Sequence, residues 1–369
     1  MKYYIIAGEA SGDLHASSLI SEIRKLDSKA SFRCWGGDLM EMHGAEIVKH
    51  YRELAFMGFL EVITNLRTII KNIQFCKQDL LEHQPDVLIL VDYPGFNLRI
   101  AEFAHQHKIK VVYYISPQIW AWKKSRVFKI KRDVDKMLVI LPFEKEFYQQ
   151  FNYKVYFVGH PLLDAITKAD RFKTDFRARN SLTDKKIIAL LPGSRKQEIS
   201  VMLPLMLKAS ESFKEYQVII AGAPSVPETF YRQFQIGKAI LILNQTYEIL
   251  QQTHVALVTS GTATLETALF DVPEVVCYKG NSLSYQIAKQ LIKVKYISLV
   301  NLIMDRVVVK ELIQNDFHFN ALQLELEQLL TNEEYRNAMI LQFRELKEKL
   351  GGTGASHRAA VHIYNWATS

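Results

Sequence analysis

The sequence predicts an α/β protein built on two parallel sheets, and three observations carry that prediction. Short apolar runs alternate with amphipathic segments along most of the chain, which is the pattern of strand-helix-strand units. At 369 residues the chain has room for two domains of roughly 150 residues or more, each with its own core. A charged connector between Leu162 and Lys185 parts the runs into two sets; it carries Lys168, Asp170, Arg171, Lys173, Asp175, Arg177 and Arg179.

In the first set, strands are expected near Tyr3-Ala7, Phe32-Trp35, Val87-Val91, Val111-Ile115, Lys136-Ile140 and Val155-Val158. The second set is expected near Ile187-Leu191, Gln217-Ala221, Ala239-Leu243, Val255-Thr259 and Glu274-Cys277. Uninterrupted apolar runs such as Val87 to Val91 belong to strands covered on both faces, as in parallel sheets. Beyond them, Asn320 to Leu350 reads as helical and charged. Gly351-Gly352-Thr353-Gly354 then breaks the pattern before a last helix with Ala359, Ala360, Ile363 and Trp366. That closing helix packs on the first domain or on a partner subunit, the latter making a homodimer, and the sequence leaves both open.

Composition narrows the function classes. With 49% hydrophobic and 23% charged residues the chain is that of an ordinary globular protein. A net charge of +7 fits an anionic ligand or an anionic membrane surface and does not itself call for nucleic acid. Cys34, Cys76 and Cys277 are far apart and form no metal-spaced pair, which reads as a reduced cytosolic protein. Lys2 to Ala7 is too short for a secretory apolar core, and no apolar run reaches the 18 or so residues of a membrane-spanning helix. Any membrane contact is therefore expected to be peripheral.

Four turns stand where ligands of such sheets gather, at the carboxyl ends of strands. Val87 to Val91 ends on Asp92, followed by Tyr93-Pro94-Gly95-Phe96-Asn97 and a helix expected near Leu98; Asp92 is a candidate for chemistry or a turn and cap residue. Gly8-Glu9-Ala10-Ser11-Gly12-Asp13-Leu14-His15 follows the first strand, and its glycines admit close backbone approach at a helix start. Without a GxGxxG pattern it reads equally as a strand-helix turn with an acidic first turn. Ile187 to Leu191 leads into Pro192-Gly193-Ser194-Arg195, where helix-start amides and the Arg195 guanidinium suit a phosphate. Val255 to Thr259 leads into Ser260-Gly261-Thr262, again suited to phosphate or to simple capping, with Glu266 a turn further on for a ribose. No GxxxxGK occurs, which disfavours P-loop hydrolysis.

Two further stretches bear on membrane contact. Lys123 to Lys136 holds seven basic residues (Lys123, Lys124, Arg126, Lys129, Lys131, Arg132, Lys136), so Asp133 and Asp135 are expected in ion pairs and not at a metal. Leu54 to Ile73, with Met57, Phe59 and Ile63, is apolar enough for core or for an exposed acyl-binding surface. No other cluster has convincing metal spacing, and neither metal nor cofactor is expected.

In order and spacing these stretches resemble one family, the bacterial lipid-A-disaccharide synthases. The resemblance spans nearly the whole chain: Ala7 to Asp13, Met57 to Val62, Asp92 to Asn97, Tyr114 to Trp122, Leu141 to Glu144, Val158 to Pro161, Leu191 to Arg195, Ser260 to Glu266 and Ser298 to Leu302. It implies a GT-B fold, two Rossmann-like domains facing a cleft. Residues 1-165 would form an acceptor- and membrane-facing domain completed by helix 355-369, and residues 166-350 a UDP-sugar domain. It also implies an inverting hexosyltransferase. UDP-2,3-diacylglucosamine would be joined to 2,3-diacylglucosamine 1-phosphate (lipid X), giving the β-1,6-linked lipid A disaccharide and UDP at the cytoplasmic face of the inner membrane. On this resemblance Asp92 is the general base, assisted by Glu9, Asp13 or His15. Gly193, Ser194, Arg195, Ser260, Gly261 and Thr262 hold the diphosphate, Glu266 the ribose, and Asn301 lines the donor site. His160 either touches the donor or is a structural cap. Met57, Phe59, Ile63, Trp120, Trp122, Lys123 and Lys124 would meet acyl chains and anionic phospholipid. Two other readings are a UDP-N-acetylglucosamine 2-epimerase-like enzyme, against which the Met57 and Trp120 stretches argue, and a non-catalytic acyl-sugar or nucleotide binder.

Overall fold

The computed structural model of the chain describes residues 1–54, 66–122, 124–169, 175–234, 236–280 and 295–369. Contacts divide it into two compact units, Met1–Ala165 with Leu350–Ser369, and Ile166–Lys349.

Unit 1 carries seven parallel strands: β1 (Lys2–Ala7), β2 (Ser31–Gly36), β3 (Glu46–His50), β4 (Val87–Val91), β5 (Lys110–Tyr114), β6 (Lys136–Val139) and β7 (Tyr156–Phe157). Their order is β3-β2-β1-β4-β5-β6-β7. The chain therefore winds outward from β1 in one direction, returns, and winds from β4 in the other. The crevice at that reversal lies between the carboxyl ends of β1 and β4, which pair in register from Tyr3↔Val87 to Ala7↔Val91.

Apolar runs on β1 and β4 are buried on both faces. One face packs into a core with Tyr4, Ile6, Trp35, Leu88, Leu90 and Tyr113. The other carries Tyr3, Ile5, Ile89 and Tyr114, all buried. The last helix, Ala355–Thr368, lies along the first, Ala10–Leu26, and also touches β5. Asp164 fixes its start by accepting from Gly354 N (2.5 Å) and Ser356 N (2.8 Å). Arg358 donates from Nε to Val158 O (2.8 Å) and from Nη1 to Thr353 O (2.8 Å). Gly351, Gly352 and Gly354, at φ 84°, 63° and 88°, make the turn that brings it back.

Unit 2 repeats the scheme with six parallel strands: β8 (Ile187–Leu191), β9 (Gln217–Gly222), β10 (Ile240–Leu243), β11 (Thr253–Thr259), β12 (Glu274–Tyr278) and β13 (Lys310–Ile313). Their order is β10-β9-β8-β11-β12-β13. The reversal here lies between β8 and β11.

All eleven expected strands are present within a residue or two, and two edge strands are added. Glu46–His50 has only half-exposed and exposed positions, and Lys310–Ile313 has two charged residues followed by only two apolar ones. Each pairs on one side only, so neither needs the apolar run that marks the inner strands. The segment expected to be helical and charged carries two helices, Phe319–Thr331 and Glu333–Lys349.

Candidate active site

Of the four turns, two meet at each reversal: Gly8 to His15 and Asp92 to Asn97 at β1/β4, Pro192 to Arg195 and Ser260 to Thr262 at β8/β11. The parallel connections put every strand's carboxyl end on one edge of its sheet, so this convergence follows from topology.

The Asp92 turn is the most constrained. Its helix begins at Pro94, not near Leu98, because Pro94 takes the first helical position, where no N–H is required. Only Asp92 and Tyr93 are left to reverse the chain out of the strand, and both adopt left-handed backbone, φ 43° and φ 48°. For residues with a Cβ this costs about 1–2 kcal/mol each. Buried side chains hold the turn: Asn97 Nδ2 donates to Asp92 O (2.8 Å) and Val91 O (3.2 Å), and Tyr113 OH donates to Asp92 O (2.5 Å). The Tyr93 ring lies over Gly8, where a Cβ would sit 2.4 Å from Tyr93 Cδ1. The glycine in the first turn is thus explained by close approach to the second. Burial, then the negative charge of Glu9, pushes the Asp92 carboxyl up to about 7, while the Tyr93 N–H opposes the shift.

The other acidic and imidazole candidates of this unit have different tasks. Asp13 is buried and accepts from Gly37 N (2.9 Å), Leu39 N (3.1 Å) and Met40 N (3.1 Å), so its carboxylate caps the short helix Asp38–Met42. His15 and His160 are both buried and meet edge to face with centroids 6.3 Å apart. Burial pushes His15 down to about 4 and His160 to about 3, so both are neutral at physiological pH. His160 Nδ1 accepts from Leu162 N (3.3 Å), the capping task. Of the acids considered, Glu9 is the one whose charge reaches Asp92.

In unit 2 the two phosphate-suited turns differ. At Pro192 to Arg195 the helix-start amides are not open: Ser194 N and Arg195 N donate to Glu198 (3.0 and 3.2 Å), and Arg195 Nη1 lies 3.2 Å from the same carboxylate. This is the reach-back half of a capping box, with Glu198 at the third helical position; the Arg195 guanidinium has no acceptor with which to complete it. The spacing Arg195-x-x-Glu198 is the signal that could have revealed it. At Ser260 to Thr262 no side chain among the described residues caps the helix Thr262–Leu269, Gly261 is exposed, and a Cβ there would meet nothing described within 4 Å. Inside that helix the half-buried Glu266 accepts from Tyr247 OH (3.0 Å), and burial raises its carboxyl. Asn301 is buried with its amide fully engaged: Nδ2 donates to Val309 O and Glu311 (2.9 Å each), and Oδ1 accepts from Val308 N and Val309 N (2.7 and 3.0 Å). Its role in this structure is to join helix Leu299–Met304 to β13.

Met57, Phe59, Ile63 and Lys123 lie outside the described residues, as does the Trp122 side chain. Trp120 packs against Phe143 (4.9 Å between centroids) and the unit 1 core, with Nε1 buried, so its indole faces inward. Lys124 is exposed. In the neighbouring helix Arg126–Asp133, Phe128 is 67% exposed. Asp133 pairs with Arg132 (2.6 Å) and Asp135 accepts from Val111 N (2.8 Å), so both aspartates are engaged. No group of three or more metal-ligating side chains occurs among the described residues, and no described helix is long and apolar enough to cross a membrane.

A sequence model of the lipid-A-disaccharide synthetase family matches residues 3–361. The chain belongs to that family. It is 40% identical over 366 residues to the lipid-A-disaccharide synthase of Syntrophus aciditrophicus, covering 97% of this chain and 95% of that one. Identity is also 40% with the synthase of Nitrosococcus oceani, over 94% of this chain and 92% of the relative. Among solved structures, a UDP-GlcNAc 2-epimerase from Neisseria meningitidis superposes with a TM-score of 0.70 at 13% identity, covering 99% and 100% of the two chains. A calicheamicin glycosyltransferase gives 0.62 at 15%, covering 100% and 98%. At such identity the likeness is one of fold: two Rossmann-like domains of the GT-B kind. Lipid-A-disaccharide synthases are glycosyltransferases of lipid A biosynthesis, and the family assignment sets aside the epimerase and carrier readings.

Proposed function

We propose that the chain transfers the diacylglucosamine of UDP-2,3-diacylglucosamine to the 6-hydroxyl of lipid X with inversion, using Asp92 as the base. The observation carrying this is the Asp92 turn. A carboxyl raised to about 7 stands at the β1/β4 reversal, on backbone held in a costly conformation by buried donors. A base titrating near the working pH combines sufficient basicity with a useful ionised fraction. Asp92 takes the hydroxyl proton, the acceptor oxygen bonds to the anomeric carbon, and the bond from that carbon to the diphosphate breaks, releasing UDP.

Unit 1 then serves the acceptor and unit 2 the nucleotide. The uncapped amides at Gly261 and Thr262 are the better diphosphate seat in the resting structure, and their helix end favours the charge that develops on the leaving group. Arg195 and the Ser194 amide join once Glu198 gives way, and Glu266 receives the ribose. Exposed Phe128 among Lys124, Lys129 and Lys131 supports a peripheral seat on anionic phospholipid, the cations meeting phosphates and the ring entering the interface.

Purified protein incubated with the two acylated sugars is expected to release UDP and disaccharide together. Asp92→Asn should fold and lose on the order of 10²–10⁴ of the turnover. Near-normal turnover by folded Asp92→Asn would remove Asp92 from the base role. The membrane reading fails if Lys124→Glu with Phe128→Ser leaves binding to anionic liposomes unchanged.

A further inference from the structure

We infer that Tyr113 and Asn97 are positioning residues for the transfer reaction, setting the direction of the Asp92 carboxylate by holding the peptide that follows it; this rests on Asp92 being the base. Among the described residues, the hydrogen bonds of both go to main-chain oxygens and not to the carboxylate. Both donate to the main-chain oxygen of Asp92, Asn97 Nδ2 at 2.8 Å and Tyr113 OH at 2.5 Å, and both have no exposed surface. They come from different elements, Asn97 from the helix after the turn and Tyr113 from the neighbouring strand β5. The carbonyl is therefore gripped from two sides.

A grip of this kind is needed because two successive residues with side chains hold φ 43° and φ 48°. Released, Asp92 and Tyr93 would relax toward the extended or right-handed regions by about 1–2 kcal/mol each. Such a rotation about φ and ψ redirects the Cα–Cβ bond and carries the carboxylate with it. A displacement of about 1 Å in a reacting group can lower a rate by about a hundredfold. Ordinary satisfaction of a buried tyrosine hydroxyl would need only one acceptor anywhere. Here that acceptor is the carbonyl of the one residue whose direction matters.

The test uses the full-length enzyme with both acylated sugars, measuring kcat, KM and Tm for Tyr113→Phe, Asn97→Ala, Asp92→Asn and the Asp92→Asn/Tyr113→Phe double variant. Tyr113→Phe keeps the ring and is expected to lower kcat by about tenfold to a hundredfold, with KM for each sugar within about twofold. In the Asp92→Asn background the same change should alter the residual rate by less than about twofold, because there is no base left to aim. Wild-type kcat in folded Tyr113→Phe overturns the inference. So does an equal fold-loss in both backgrounds, which would mark a structural effect independent of Asp92. Should Tyr113→Phe not fold, Asn97→Ala, made alone and together with Asp92→Asn, is read against the same two outcomes. Near-normal turnover in Asp92→Asn is a different result and overturns the base assignment itself.

Discussion

Replacing Glu198 by Ala should weaken the fold and strengthen nucleotide binding at once. Its carboxylate accepts the Ser194 and Arg195 amides at 3.0 and 3.2 Å and lies 3.2 Å from the Arg195 guanidinium. Loss of a helix-start acceptor costs about 0.5–2 kcal/mol, and for a unit of this size each kcal/mol lowers Tm by roughly 2–4 °C. A fall of about 1–8 °C is therefore expected. A diphosphate that uses the same donors must first displace the carboxylate. The two amide bonds contribute about 1 kcal/mol each. The ion pair, 56% and 28% exposed at its two ends, adds below about 1 kcal/mol after screening by solvent. Part of that total is recovered when the carboxylate moves into water, leaving about 1–2 kcal/mol, or five- to thirtyfold in Kd. Calorimetric titration of UDP into parent and Glu198→Ala protein reads the difference directly, and Glu198→Gln, which keeps an acceptor without the charge, should fall between. A folded Glu198→Ala protein that binds UDP no more tightly than the parent would refute a diphosphate site at this turn.

Two predictions concern pH. Asp92, raised to about 7, must be ionised to act as base, so kcat/KM should fall about tenfold per pH unit below that value; an acid limb centred near an ordinary carboxylate value would contradict it. Glu274 is buried with no hydrogen-bond partner for either carboxyl oxygen among the described residues, and burial raises it well above 4.5. The folded chain thus keeps a proton that the unfolded chain releases. Its stabilising contribution is complete below about 4.5 and is lost by about 1.4 kcal/mol per pH unit as pH rises toward the folded value. Glu274→Gln has no such slope, so its Tm relative to the parent should rise by roughly 3–6 °C per pH unit from about pH 5 upward; parallel Tm curves for the two proteins would exclude this.

The inner strands were legible because burial on both faces demands an unbroken apolar run, as in Val87 to Val91. The edge strands Glu46–His50 and Lys310–Ile313 were not, because a strand with one neighbour and a wet side is selected for pairing geometry and not for apolarity. The start of the helix at Pro94 was misjudged for a related reason. The apolar periodicity begins only near Leu98, whereas proline fixes the first turn without contributing to the period.

At the site, what could be read was position, and what could not was partnership. Asp92 announces itself by ending an apolar run, and a family resemblance then gives it a task. The residues that decide whether it can perform that task leave no local mark: Tyr113 is one more apolar-looking position in a buried strand, and Asn97 is a common turn residue. Their donors converge on one carbonyl only because β4 and β5 pair with Leu90 beside Tyr113 and Val91 beside Tyr114. Asp13 shows the converse. It sits among acidic and imidazole neighbours as an assistant base would, yet its carboxylate goes to three backbone amides twenty-four to twenty-seven positions away. Burial raises both carboxyls, but at Asp13 three backbone N–H donors oppose the shift and hold the carboxylate to its cap, whereas at Asp92 the like charge of Glu9 adds to it. That difference in surroundings, and not residue type or spacing, separates the proposed base from scaffold in unit 1.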